Sequence, residues 1–229
     1  NNIINSLKCG NAIIISPSPK GIAGCERLIH FIHAEFEKCG INKDLVQMIP
    51  APGTKIKTQQ MLEETDLVIV TGSQNNVRRA YTSGTPAIGV GAGNVTVIID
   101  ETSNLKDAAV KIAASKTFDN ATSCSSENSL IIIDEIYDAF IKELSLVGCV
   151  TLEKSLQKKI TDRLWKKGQL NRDAVAQDAK KLIVALGLES NVPEDTKIIG
   201  IETDGIGEGY PLSGEKLSRV ISIYRAKDF

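Results

Sequence analysis

The feature that most constrains this chain is a steady alternation of strand-length and helix-length patterns between residues 12 and 84. Ala12–Ser16, Leu45–Ile49 and Leu67–Thr71 are short runs rich in β-branched residues. The segments that follow them, Ile22–Lys38, Thr54–Glu64 and Gln74–Ser83, have helical character; in the first, Ile22, Leu28, Ile29, Ile32 and Phe36 recur at helical intervals. Gly40 and Gly84 stand where a left-handed residue closes a helix. Parallel strands need a crossover between them, and a helix is the usual one, so the alternation predicts βαβ units with helices on the faces of a parallel sheet. Ahead of it, Ile3, Ile4 and Leu7 are at helical spacing and stop at Cys9-Gly10-Asn11. With no initial Met, the chain is expected to be a fragment of a longer protein.

The order changes beyond Gly84. Ala87–Val90 and Val95–Ile99 are strand-like and are joined by Gly91-Ala92-Gly93-Asn94 with no helix between them. A domain junction belongs here, with one unit over 1–91 and a second over 92–229. In the second, a helix over Leu105–Phe118 delivers the chain into the polar loop Asp119–Asn128, followed by a strand at Leu130–Ile133. Helices are expected around Glu135–Leu146, Ser155–Trp165 and Arg172–Leu186, and strands at Lys197–Ile201 and Val220–Tyr224.

Charge and cysteine usage exclude several classes. Lys and Arg number 27 against 28 Asp and Glu, a net charge of -1, so the chain has no strong field to hold nucleic acid. The five cysteines, Cys9, Cys25, Cys39, Cys124 and Cys149, contain no C-x-x-C pair for zinc and no dense disulfide framework, which points to a reducing compartment. No apolar run approaches the roughly 20 residues that span a bilayer, and the start lacks the pattern of a signal peptide. A cytoplasmic location without membrane partners is the expectation, and no metal-ligand spacing appears.

Three places carry chemistry. In Leu67–Asn76 a strand passes through Gly72-Ser73 into a helix, leaving backbone N–H groups aimed outward; such an end binds phosphate, and the same residues also make an ordinary turn and cap. Gly89-Val90-Gly91-Ala92-Gly93 is not a dinucleotide fingerprint, because a strand rather than a helix follows it; a turn that lets backbone approach a ligand or a neighbouring strand fits better. Cys124, flanked by Ser123, Ser125 and Ser126 in a polar loop, reads as a reactive nucleophile. The other four cysteines, on helical patterns or at helix ends, are expected to act as small apolar side chains. His30 and His33 share a helix far from Cys124 in sequence, and Glu127 reads either as a base or as a solubilising loop residue.

Taken in order, Thr71-Gly72-Ser73, the glycine turn at 89–93, Phe118-Asp119-Asn120 leading to Cys124, Glu215-Lys216-Leu217-Ser218 and the closing run from Ile223 to Phe229 resemble the aldehyde dehydrogenase superfamily in its coenzyme-A-acylating branch. The resemblance covers nearly the whole chain. Ala121–Ser129 is most similar to acylating sulfoacetaldehyde dehydrogenases, with succinate-semialdehyde and acetaldehyde enzymes further away.

The resemblance implies an α/β fold: a Rossmann-like parallel sheet with helices on both faces, plus part of a second α/β catalytic domain. Residues 1–91 would be a nicotinamide-dinucleotide-binding domain truncated at its start, and 92–229 a catalytic domain truncated at its end. Cys124 would be the nucleophile. Ser16, Pro17 and Ser18 would lie by the adenosine ribose, Thr71, Gly72 and Ser73 at the pyrophosphate, and Gly91 and Leu217 against the cofactor, with Glu215 on the nicotinamide ribose. NAD or NADP would be the cofactor and coenzyme A the co-substrate. The reaction would convert a short aldehyde to its acyl-CoA: sulfoacetaldehyde first, with succinate semialdehyde, acetaldehyde or propionaldehyde as alternatives. Hydrolytic relatives carry a Glu in the glycine turn to activate water; around Val90-Gly91 there is none, which favours a thiol as acyl acceptor. The oxyanion-stabilising Asn of the family belongs to an Asn-Pro segment upstream of Asn1. The full-length bacterial enzyme is expected to be a homodimer or homotetramer. Two readings from other classes stand beside this one: a cysteine hydrolase or acyltransferase without nicotinamide, and a non-catalytic scaffold whose Cys124 is no more reactive than Cys9.

Overall fold

Four helices begin where a side-chain oxygen turns onto the backbone N–H three residues ahead: Thr54 to Lys57, Ser73 to Asn76, Asn104 to Asp107 and Asp178 to Lys181. Each cap satisfies a donor that the first helical turn leaves open. The structure, a computed structural model, describes residues 1–19 and 21–228. Lys20, in the loop expected before the second helix, and Phe229, which ends the closing motif, lie outside them.

The chain divides into two compact units, the first ending at Gly91 and the second beginning at Ala92. In the first, the order is α1 (Asn2–Lys8), β1 (Ile13–Ile15), α2 (Ile22–Lys38), β2 (Val46–Met48), α3 (Lys55–Glu64), β3 (Val68–Thr71), α4 (Gln74–Tyr81) and β4 (Ala87–Val90). All its strand pairing is parallel, as the alternation predicts, but it forms two pairs rather than one continuous ladder: β1 with β2 and β3 with β4. Leu62, Val68 and Ala80 make the core beneath the second pair.

The second unit comprises β5 (Val95–Ile99), α5 (Leu105–Thr117), β6 (Glu127–Ile133), α6 (Tyr137–Leu146), β7 (Cys149–Leu152), α7 (Gln157–Leu164), β8 (Trp165–Lys166), β9 (Gln169–Leu170), α8 (Ala179–Leu186), β10 (Ile198–Glu202) and β11 (Val220–Ala226). Five of its strands form an all-parallel sheet in the order β5-β6-β11-β10-β7. Successive residues along these strands feed opposite cores, as a period of two requires. Ile198 and Ile221 pack with Ile112 of α5 and Phe140 of α6, whereas Ile199 and Val220 pack with Leu164 of α7 and Leu186 of α8. Helices therefore cover both faces, and the strands read as near-continuous apolar runs.

Four expectations are corrected. The helix expected from Arg172 begins at Ala179, because Asp178 caps it there and Ala176 takes a left-handed φ of 58° that a helix cannot continue through. Trp165 belongs to the small hairpin β8–β9 rather than to the helix before it. Cys149 begins strand β7 rather than lying on a helix or at its end, because the chain turns at Gly148 and Cys149 pairs in register with Ile198 of β10. Strand β6 begins at Glu127 instead of Leu130, since its first three residues are polar. Among the described residues no helix is long and apolar enough to cross a membrane.

Candidate active site

Strands β5, β6 and β11 are adjacent and parallel, so the three segments leading into them arrive at one edge of the sheet. These are the glycine turn ending at Asn94, the Cys124 loop and Gly214–Arg219.

The loop is held at both ends. Asp119, Asn120 and Ala121 take φ of 45°, 53° and 59°, left-handed values that cost non-glycine residues free energy and persist only where the surroundings impose them. Arg219 imposes them here: its Nη2 donates to Asn120 Oδ1 at 2.7 Å and to the Thr117 carbonyl at 3.3 Å. Thr122 Oγ1 donates to the Asp119 carbonyl. Further on, the Ser126 N–H donates to the Ser123 carbonyl at 3.0 Å, which closes a turn with Cys124 near its crest, and the Ser123 and Ser125 hydroxyls meet at 2.8 Å. Cys124 is exposed while Ala121 and Ser126 on either side are buried.

Gly93 joins this turn to a distant carboxylate. A β carbon on Gly93 would lie 2.9 Å from the Cys124 carbonyl oxygen, so only glycine fits without displacing the turn. The Gly93 N–H donates to Glu215 Oε1 at 3.2 Å, and the Asn94 side chain donates to the Ser213 carbonyl at 2.8 Å. Cys124 and Glu215 thus flank one glycine. Leu217, two residues on, has a φ of 43° and accepts the Ala176 N–H through its carbonyl.

The remaining thiols differ. Cys149 is buried, and burial pushes its thiol up to about 12, which leaves it protonated and inert. Cys9 and Cys39 are exposed helix C-caps, contrary to the expectation of apolar packing, because each follows a helix's last turn where the side chain meets solvent. Cys25 is half-buried, and burial followed by the Glu26 charge raises its thiol. His33 Nε2 lies 2.8 Å from the Val46 carbonyl and so serves the fold of the first unit. Among the described residues no cluster of three His, Cys, Asp or Glu side chains could hold a metal.

In the first unit the predicted cofactor residues lie at the carboxyl ends of parallel strands, where open α/β sheets bind ligands. Thr71 ends β3, and the Gly72 N–H pairs with the Val90 carbonyl at 3.2 Å. Gly72 has a φ of 124° and no atom within 4 Å of the place a β carbon would take. Ser73 caps α4. A β carbon on Gly91 would meet the flexible amide end of the Gln74 side chain, on the first turn of α4. The structure therefore gathers Gly72, Ser73 and Gly91 around the start of one helix. Ser16, Pro17 and Ser18 follow β1, with the Ser18 carbonyl accepting the Gly21 N–H at 2.8 Å.

The model of the aldehyde dehydrogenase family matches residues 1–148. The chain belongs to the aldehyde dehydrogenase family. Within the family it is 50% identical over 229 residues to the acylating sulfoacetaldehyde dehydrogenase of Cupriavidus necator, covering all of this chain and 46% of that relative. An acetylating aldehyde dehydrogenase from Geobacillus thermoglucosidasius superposes with a TM-score of 0.90 at 33% identity, over 97% of this chain and 49% of that one. A Rhodopseudomonas palustris propionaldehyde dehydrogenase, solved with bound CoA and an acylated cysteine, gives 0.87 at 27% identity, over 99% and 52%. The chain spans about half the length of these relatives.

The glycine turn was expected to let backbone approach a ligand or a neighbouring strand, and Gly93 brings it against the Cys124 turn, whereas sequence reasoning missed the contributions of Arg219, Lys116 and Lys216. Lys116 alone left a local signal: it falls four residues after Ile112 on the stripe by which α5 is buried, where an unpaired lysine is out of place.

Proposed function

We propose that the full-length protein is a coenzyme-A-acylating aldehyde dehydrogenase whose nucleophile is Cys124. The observation that supports it best is the Cys124 turn, exposed at its crest and fixed at its base, set beside Gly93 and Glu215. The Cys124 thiolate forms a C–S bond to the aldehyde carbon, and the carbonyl oxygen becomes an oxyanion for which the Cys124 N–H is one donor. The carbon then loses hydride and becomes a thioester. NAD(P)+, when bound, supplies the hydride acceptor. Coenzyme A, having given its thiol proton to solvent, attacks the thioester carbon as thiolate; the new C–S bond forms as the bond to Cys124 breaks, Cys124 leaves as thiolate and acyl-CoA departs.

The residues suit such a cofactor. The open space at Gly72, the capped start of α4 and the small Gly91 admit a pyrophosphate close to backbone N–H groups. The Glu215 carboxylate, held by the Gly93 N–H, has a free oxygen for ribose hydroxyls. On this reading residues 1–91 bind the dinucleotide, with Ser16, Pro17 and Ser18 towards the adenosine ribose, and the second unit carries catalysis, with Leu217 beside the cofactor.

Sulfoacetaldehyde is the substrate we assign first, on the 50% identity to an enzyme of that name. The test is NAD(P)+ reduction by the full-length protein on sulfoacetaldehyde, succinate semialdehyde, acetaldehyde and propionaldehyde, with and without coenzyme A. The highest kcat/KM on sulfoacetaldehyde, strictly dependent on coenzyme A, is expected. Hydrolysis of acyl esters without nicotinamide would instead indicate a cysteine hydrolase.

A further inference from the structure

Below the Cys124 turn are two lysines that no step above uses. Lys116 on α5 and Lys216 in the segment before β11 are 1% and 0% exposed. Both reach the start of β6, where the ladder with β5 is irregular. Val95 opposes Glu127, yet Thr96 opposes Ser129, so Asn128 is an extra residue bulged out of register. A bulge disrupts the ladder locally and leaves main-chain groups to be satisfied elsewhere. Lys116 Nζ donates to the Glu127 carbonyl at 2.5 Å, and Lys216 Nζ donates to the carbonyls of Asn128 at 2.9 Å and Gly214 at 3.0 Å. The Asn128 side chain closes the arrangement by accepting the Lys216 N–H at 3.0 Å.

We propose that Lys116 and Lys216 are positioning residues for Cys124 and Glu215, acting through the bulge at the start of β6. The geometry gives each a lever. Glu127 and Asn128 immediately follow the Cys124 turn, so fixing their carbonyls fixes where the turn meets the sheet. Lys216 adjoins Glu215, so the same contacts set the carboxylate that accepts the Gly93 N–H. Bulges next to active sites re-aim side chains in this way.

The cost of the arrangement points the same way. Lys116 faces the Glu127 carboxylate, the Cys149 thiol and Lys216, and burial dominates, pushing it down to about 8. Lys216 is held well below its ordinary value by burial and by Lys116. Two buried amines served by one partly buried carboxylate carry a desolvation cost that methionine would not, although methionine would leave the carbonyls of Glu127, Asn128 and Gly214 without these donors. A fold that carries them gains geometry rather than stability.

The inference rests on Cys124 being the nucleophile, and the test separates the two. In the full-length protein, Lys116→Met and Lys216→Met are compared with wild type and with Lys158→Met, a surface control 86% exposed at its side chain. Three quantities are read: iodoacetamide labelling of Cys124 relative to exposed Cys39, the kcat and KM of coenzyme-A-dependent NAD(P)+ reduction, and the melting temperature. Expected for both core variants are a fall in kcat of about 10- to 100-fold and an altered Cys124-to-Cys39 labelling ratio, with melting temperatures close to that of wild type because relief of amine burial offsets the lost carbonyl donors. The cofactor KM stays within about 3-fold of wild type in Lys116→Met and rises further in Lys216→Met, which releases the segment that carries Glu215. The control changes none of these. Where a Met variant does not fold, Asn128→Ser removes the side-chain clamp on the Lys216 N–H and is expected to move kcat and labelling in the same directions. A wild-type Cys124 that labels no faster than Cys39, in a protein without coenzyme-A-dependent turnover, overturns the functional reading and this inference together. A reactive wild-type Cys124 whose labelling and kcat are unchanged in the folded variants overturns this inference alone.

Discussion

Cys124 and Cys149 show how position decides what a thiol can do. The thiolate is the nucleophile, and burial keeps Cys149 protonated, whereas Cys124 meets solvent at the crest of a turn. Replacing Cys124 with Ala in the full-length protein is expected to lower coenzyme-A-dependent NAD(P)+ reduction by about 1,000-fold or more, the scale on which nucleophile loss acts. Gly93 is the second test at this scale. Alanine there places a β carbon 2.9 Å from the Cys124 carbonyl oxygen, a main-chain atom that moves only with the turn. Gly93→Ala is expected to reduce kcat by about 10- to 100-fold, with a loss of about 1–3 kcal/mol in denaturant unfolding as for other overpacked sites. At Gly72, with a φ of 124°, any side chain is strained, so Gly72→Ala should raise the cofactor KM more than it lowers kcat if this turn receives the pyrophosphate.

Among the elements, α5 and β6 carry the unusual energetics. Lys116 titrates at about 8 in the folded chain against 10.5 when free. Below pH 8 it is protonated in both states and the burial cost is borne in full; between pH 8 and 10.5 the unfolded chain holds a proton that the folded chain has released, so stability rises with pH. Relative to Lys116→Met, wild type is therefore expected to gain about 3 kcal/mol of unfolding free energy between pH 7 and pH 11. Parallel denaturant titrations of the two proteins check this, and a difference independent of pH contradicts it.

The elements also show what local pattern can and cannot report. The alternation in the first unit was legible because strand and helix periods are properties of neighbouring residues; α2 falls on the residues the pattern marks, as do β4 and β5 beyond the alternation. The start of β6 was not legible, since Glu127, Asn128 and Ser129 look like loop until buried lysines from two other segments satisfy them. The true start of α8 depends on the Ala176 N–H meeting the Leu217 carbonyl, a contact between residues far apart in the chain. Cys124 stood out through its serine neighbours, whereas its approach to Gly93, and through it to Glu215, exists only once β5, β6 and β11 are side by side.

At the scale of the molecule, the chain holds two α/β units and spans 46% of the Cupriavidus necator relative. The second unit is the better determined by its own packing: a five-stranded parallel sheet covered on both faces, with three strand beginnings collected at one edge. That edge is what brings a thiol, a glycine and a carboxylate from three segments together, and the proposed chemistry depends on the thiol. The most direct measurement is peptide mass mapping of the full-length protein after reaction with sulfoacetaldehyde and NAD(P)+ in the absence of coenzyme A, followed by acid quench. A sulfoacetyl group is expected on the peptide containing Cys124, absent without NAD(P)+ and removed by added coenzyme A. An unmodified Cys124 in a protein that reduces NAD(P)+ on this aldehyde when coenzyme A is present, or a sulfoacetyl group on another cysteine in its place, would contradict Cys124 as the nucleophile.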